Sequence, residues 1–322
     1  MSEKNVGGAP EPRRPSASDQ RRQARGLTVA AAALLVALLG VGGALLALAF
    51  SQTSGAPTGG VLGVIREMDA PAQPGQGDGD GAGGADAPAA NDPRAASLAL
   101  DPSAQTDWKT DGTGEKTVYL TFDDGPSKNT QRVLDVLDRY GVKATFFVTG
   151  HEPDYRPMIK RAYDDGNSIG LHTMTHDYAQ VYSSEDAYFS DLDQVGQVVK
   201  DQIGFVPYLV RFPGGASNTV SASYCPGIMT ALSTDLTARG YQYYDWNVSS
   251  GDAAGNNVPV DKIVSSSCVE GYTNVMLLFH DAGTKDTTVD ALPQIIEFYQ
   301  ARGYKFAPID RDGFVCHHHI NN

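Results

Sequence analysis

From Lys116 onward, short unbroken apolar runs alternate with stretches in which apolar residues recur every third or fourth position. The runs predict strands at Val118 to Phe122, Ala144 to Val148, Ser168 to Leu171, Leu209 to Phe212, Tyr241 to Trp246, Val275 to Phe279 and Lys305 to Pro308. The helical spacing predicts helices at Thr130 to Tyr140, Arg156 to Asp165, Ser184 to Ile203, Ile228 to Arg239, Val260 to Cys268 and Thr288 to Arg302. Gly141 and Gly166 stop the first two, as residues that accept a left-handed backbone at a helix end. Seven βα-like units in sequence belong to the α/β class, with a parallel sheet or barrel as the expected architecture.

The first third of the chain has a different pattern. Leu27 to Phe50 is 24 residues without a charge, a helix of roughly 36 Å at 1.5 Å per residue and enough to span a bilayer. Five arginines, Arg13, Arg14, Arg21, Arg22 and Arg25, precede it, and clustered positive charge stays on the cytoplasmic side. Residues 1–26 are therefore expected as a cytoplasmic basic tail, 27–50 as a signal anchor in the cytoplasmic membrane, and the rest outside the cytoplasm. A cleaved signal ending at Ala47-Leu48-Ala49 is the alternative, with a secreted product, although the apolar run is longer than such signals use. Residues 51–107, rich in Gly, Ala, Pro, Asp and Gln, are expected as a flexible linker, and 108–322 as one catalytic domain.

Charge and cysteine content narrow the chemistry. Beyond residue 26 the chain carries 19 Lys/Arg against 35 Asp/Glu, a net charge of −16, which argues against nucleic acid as a partner. Cys225, Cys268 and Cys316 allow at most one internal disulfide, and none belongs to a Cys-x-x-Cys pair, so a cysteine-ligated metal is not expected.

In α/β barrels the chemistry gathers at the C-terminal ends of the strands. The first expected strand runs into Asp123-Asp124-Gly125-Pro126, and the third into His172-Thr173-Met174-Thr175-His176. The fourth ends in Arg211-Phe212-Pro213-Gly214-Gly215, the fifth in Ser249-Ser250-Gly251-Asp252, and the sixth in His280-Asp281. Five strand ends thus place acids, imidazoles or a guanidinium on one face. Two adjacent carboxylates raise each other's proton affinity unless a cation or a division of roles separates them. His172 and His176, with Asp124, make up the two-imidazole, one-carboxylate set of an open catalytic zinc site. The trio also suits non-haem iron, but no oxygenase or cofactor signature accompanies it.

Together these residues resemble the polysaccharide deacetylases of carbohydrate esterase family four, the NodB-homology family. The shared motifs are TFDDGP at Thr121 to Pro126, H[ST]xxH at His172 to His176, R[FY]PGG at Arg211 to Gly215, Ser249 to Ala253 in place of DxxDW, and LxH at Leu278 to His280. The resemblance covers Lys116 to the end of the chain. It implies a distorted (β/α) barrel of seven or eight parallel strands and metal-dependent removal of acetyl groups from amino-sugar polymers. By the same resemblance Asp124, His172 and His176 hold Zn2+ or another divalent transition metal. Asp123 is the general base oriented by Arg211, the backbone N–H of Phe212 stabilises the oxyanion, and His280 is the general acid tuned by Asp252.

Asp245 and Asp281 are rivals for that last role. The family's groove-wall tryptophan falls at Ala253 and its first motif-four acid at Ser249, which alters the substrate groove. Trp246 is expected in the core, His317 to His319 as an exposed end, and His151 without a role. The expected function is N-deacetylation of cell-wall glycan, foremost N-acetylglucosamine of peptidoglycan. The alternatives are an O-acetyl esterase acting on xylan or another acetylated glycan, and a non-catalytic wall-binding protein.

Overall fold

The structure, a computed structural model, describes residues 92–104 and 108–322. The basic tail 1–26, the uncharged run 27–50 and the linker up to residue 91 lie outside the described residues. Among the described residues no helix is long and apolar enough to cross a membrane.

Eight parallel strands form one curled sheet. In chain order they are β1 (Thr117–Asp123), β2 (Thr145–Val148), β3 (Ser168–Leu171), β4 (Leu209–Val210), β5 (Gln242–Tyr243), β6 (Val248–Ser249), β7 (Asn274–His280) and β8 (Lys305–Phe306). The spatial order is β5-β4-β3-β2-β1-β7-β6, with β8 also paired to β1, and every pairing is parallel. The α/β fold expected from the pattern is therefore present, as a curled half-barrel with β5 and β6 at its edges. β1 is its centre: all seven residues are buried, and they align with Asn274 to His280 of β7 in unbroken register. Phe122 stacks between Phe146 and Phe279, with ring centroids 5.2 and 5.5 Å away, so a single register fixes the two strand tips, of β1 and β7, that carry the acids and His280.

The helices pack outside: α2 (Lys128–Tyr140), α3 (Pro157–Asp164), α5 (Glu185–Ile203), α6 (Ile228–Ala238), α7 (Val260–Ser267) and α8 (Asp286–Gln300), with short α1 (Pro93–Leu98) and α4 (Tyr178–Val181). Ser127 caps α2 in a reciprocal box with Thr130, which places the helix start immediately behind the acidic turn. All six long helices begin and end within two residues of the sequence expectation.

Two expectations are corrected. The linker does not extend to residue 107: α1 is N-capped by Asp92, and Leu98 is buried. Arg311 donates to the carbonyls of Ser97 and Ala99, at 2.7 and 2.8 Å. One buried leucine in an Ala- and Pro-rich stretch leaves no periodic signal. β6 was not foreseen, because two residues are too short to show alternation. The tail after Val315, exposed at His317 and His319 as expected, is nonetheless tied to the sheet. Between the sheet edges β5 and β6, Asp245 N–H donates to Cys316 O (2.8 Å) and His318 N–H donates to the Asp245 carboxylate (2.7 Å). The three cysteines are all free thiols.

Candidate active site

The tips of β1, β3, β4 and β7 converge on a cleft of about 340 Å³, lined by Asp123, Asp124, His172, His176, Tyr178, Gly214, Trp246, Ala253, Leu278, His280 and Lys285. Its two acids face different ways. Asp123, the last residue of β1, is buried and accepts a 2.9 Å bond from Arg211 Nη1. Asp124 has left the strand with φ 70°, so its carboxylate turns toward the histidines. Its Oδ1 stands 3.5 Å from both His172 Nε2 and His176 Nε2.

The histidine segment is a turn rather than a helix. Thr173 and His176 both have positive φ, 70° and 54°, an uncommon backbone for residues with a Cβ. Asp191, fully buried on α5, holds it by accepting the N–H of Met174, the Thr175 hydroxyl at 2.7 Å and, more weakly, the Thr175 N–H at 3.4 Å. His172 Nδ1 lies 2.8 Å from the carbonyl of Arg211. A carbonyl only accepts, so Nδ1 carries the proton and Nε2 keeps its lone pair toward Asp124. Burial, reinforced by neighbouring His176, pushes His172 down to about 3, leaving the ring neutral.

Among the described residues these three ligand atoms lie within 4.8 Å of one another, and Asp124 Oδ1 is a buried acceptor with no hydrogen-bond partner. A tetrahedral zinc site with arms of about 2.1 Å separates its ligand atoms by about 3.4 Å. The donor types, the spacing and the unpaired oxygen all suit a divalent transition metal.

Arg211 is the most bulky of the fully buried side chains. Besides Asp123 it binds Thr121 Oγ1 (2.7 Å) and the carbonyls of Tyr244 (2.8 Å) and Asp245 (2.9 Å), and its guanidinium lies 4.3 Å over the Phe147 ring. Burial nevertheless outweighs the arginine and raises Asp123 above the usual carboxylate range. Phe212 buries its ring against Tyr188 and Tyr243, so only its backbone is available to the cleft. Gly215 has φ 76°, and a Cβ there would lie 2.9 Å from Asp245 Oδ1, which is why this turn needs glycine.

On β7, next to Asp123 in register, His280 Nδ1 pairs with Asp252 Oδ1 at 2.8 Å, while Asp252 Oδ2 accepts the His280 N–H (2.8 Å) and the Thr288 hydroxyl (2.9 Å). Burial alone would depress His280, but the Asp252 hydrogen bond and charge override it and raise the ring to about 9. Asp252 is correspondingly lowered, against its own burial. The rivals are engaged elsewhere. Asp245 accepts the N–H groups of Ala216 and His318. Asp281 accepts the Thr130 hydroxyl, and burial with the nearby Asp124 carboxylate lifts it to about 7.

All eight expected site residues thus stand at or directly behind one cleft. Trp246, expected in the core, lines it as well, and His317, exposed as expected, stacks on Tyr243 with ring centroids 3.9 Å apart. Sequence reasoning missed Asp191 and Lys285. Asp191 sits on the buried face of a helix and Lys285 in a connecting loop, with no motif to mark either.

The polysaccharide deacetylase family profile matches residues 110–225. A peptidoglycan-N-acetylglucosamine deacetylase of Bacillus cereus is 31% identical over 201 residues, covering 61% of this chain and 70% of the relative. The crystal structure of the catalytic domain of a peptidoglycan N-acetylglucosamine deacetylase from Eubacterium rectale is similar with a TM-score of 0.64 at 48% identity, over 69% of this chain and all of that one. A polysaccharide deacetylase structure from Bacillus cereus aligns with a TM-score of 0.54 at 30% identity, over 61% of this chain and 92% of that one. With the barrel, the ordered motifs and these relatives agreeing, the chain belongs to the polysaccharide deacetylases, the NodB-homology hydrolases of carbohydrate esterase family four.

Proposed function

We propose that this hydrolase removes the N-acetyl group of N-acetylglucosamine in peptidoglycan, with a divalent metal, from a membrane-tethered position outside the cytoplasm. The observation that carries the reading is the split acid pair, Asp123 on Arg211 at 2.9 Å and Asp124 on two imidazoles at 3.5 Å. The names of the relatives support the glycan, and the uncharged run before the domain supports the location.

Asp124, His172 and His176 would hold the metal, which when bound supplies Lewis-acid polarisation of the amide carbonyl and acidification of water. Asp123 takes the proton of the attacking water as its oxygen bonds to the acetyl carbon. Its raised proton affinity makes it a stronger base than an exposed aspartate, and Arg211 keeps it in one rotamer. The Phe212 N–H receives the negative charge that develops on the carbonyl oxygen. The carbon–nitrogen bond breaks as His280 gives its proton to the departing nitrogen, leaving acetate and a free amine. An amine is a poor leaving group unless protonated. A ring held protonated by Asp252 at neutral pH therefore favours amide over ester cleavage as its task.

The test is acetate release from purified wall glycan by the metal-loaded full chain, isolated from membranes. Asp123→Asn is expected to lower kcat by about 10²–10⁴ while retaining bound metal. Acetate from O-acetylated xylan but not from N-acetylated glycan would assign the chain to the ester-cleaving alternative. Acetate from neither, metal replete, would return it to wall binding.

A further inference from the structure

The cleft that holds the metal-ligand triad also carries a cation that the reaction does not use. Lys285 is only 8% exposed, yet it lines the cleft. Its ammonium donates to the carbonyls of Asp252 (2.8 Å) and Gly255 (2.9 Å), which accounts for two of its three N–H groups. Carbonyl dipoles solvate the charge without cancelling it. The neighbouring carboxylates are committed elsewhere, Asp252 to His280 and Asp286 to Lys128 and Arg132. Among the described residues Lys285 has no carboxylate partner. A buried charge without a counter-ion is costly, and here the cost is carried in a protein of net charge −13.

The wall beside it is open. Ala253, at the position where the family's motif has tryptophan, presents a methyl group at the cleft next to the turn that Lys285 holds. The aromatic surface of the cleft comes from Tyr178 and Trp246. Space and an uncompensated positive charge thus coincide on the wall that also carries His280.

We propose that Lys285 is a specificity-determining residue that selects a glycan bearing a carboxylate beside the acetamido sugar, such as the lactyl or peptide acid on the alternate sugar of peptidoglycan. This rests on the deacetylase reading above. The incoming carboxylate accepts the third N–H of Lys285 and supplies the missing counter-charge, whereas neutral polymers of N-acetylglucosamine leave the lysine unpaired. A role confined to holding the Asp252–Gly255 turn would affect every substrate alike.

The experiment compares kcat/KM for acetate release from a carboxylate-bearing peptidoglycan oligomer and from a neutral N-acetylglucosamine oligomer, using metal-loaded full-length chain. Lys285→Met is expected to lower the acidic-over-neutral ratio about tenfold, the size of one charge-assisted hydrogen bond, with the change in KM. Lys285→Arg is expected to restore the ratio, and converting the oligomer's carboxylates to amides to abolish the wild-type preference. Equal losses on both glycans, or an unchanged ratio, overturn the proposal. If wild type releases acetate from neither glycan, the deacetylase reading fails and the selectivity proposal fails with it.

Discussion

His172 and His280 carry the same ring, both withdrawn from solvent in one cleft, and they end in opposite charge states. His172 is driven down to about 3 and His280 is raised to about 9. Burial acts in the same direction on both. The difference is the acceptor at Nδ1, a backbone carbonyl from Arg211 for one and the Asp252 carboxylate for the other. A carbonyl orients the ring and leaves a lone pair to give away, whereas a carboxylate orients it and holds a proton ready. The assignment of ligand and acid therefore follows from what stands behind each ring.

Removing the neutral ring has the largest expected effect. His172→Ala leaves Asp124 and His176 as an incomplete set, and metal analysis of the purified variant should show the ion gone and acetate release lost with it. Full metal content in that variant would break the comparison at its root.

Exchanging the acceptor of the other ring sharpens it. Asp252→Asn is expected to lower kcat by about 10² and to move the alkaline limb of the pH profile to lower pH, because burial is then opposed only by the more weakly acting Asp124 and Asp123 charges. In the wild type that limb should lie near 9, with activity falling as pH rises and the acid loses its proton. The stability linkage has the same sign. A folded value above the ordinary 6.5 means the charged pair contributes fully below 6.5 and its contribution is lost as pH rises through about 9. An Asp252→Asn profile superimposable on wild type would show that the carboxylate does not set the proton.

The smallest effect is expected one layer back. Asp191→Asn replaces an acceptor by an amide in the bonds that hold Met174 and Thr175, and should weaken metal affinity about tenfold while leaving the His280 limb in place. A shifted limb would mean that the two histidine sites are not independent.

How much of this is legible in the sequence depends on the range of the interaction. The strand tips are legible because Val118 to Phe122 and Val275 to Phe279 are continuous apolar runs followed at once by acids or a histidine. The α5 boundaries are legible from Ser184 and Gly204, which cap it. The β4 and β5 expectations were too long because Arg211 and Tyr244 continue the ladder bonds beyond the two-residue strands. Proton affinity is less legible still. The Arg211–Asp123 bond can be inferred from the motif, but the burial that outweighs it is a property of the finished barrel. Trp246 and His318 are illegible for one reason: they meet across 72 residues of chain, where His318 Nε2 lies 2.6 Å from the Trp246 carbonyl.

The left-handed backbone at Asp124 and His176 constrains how this centre can be redesigned. Outside glycine, asparagine, aspartate and histidine are the residues that most readily adopt that conformation, and aspartate and histidine are also the two that offer a metal a hard oxygen or an imidazole. Lengthening Asp124 to glutamate, or exchanging His176 for cysteine to favour a softer ion, changes the donor and strains the main chain in the same step. Metal preference in this cleft is therefore more open to change through Asp191 and the other groups behind the ligands than through the ligands themselves.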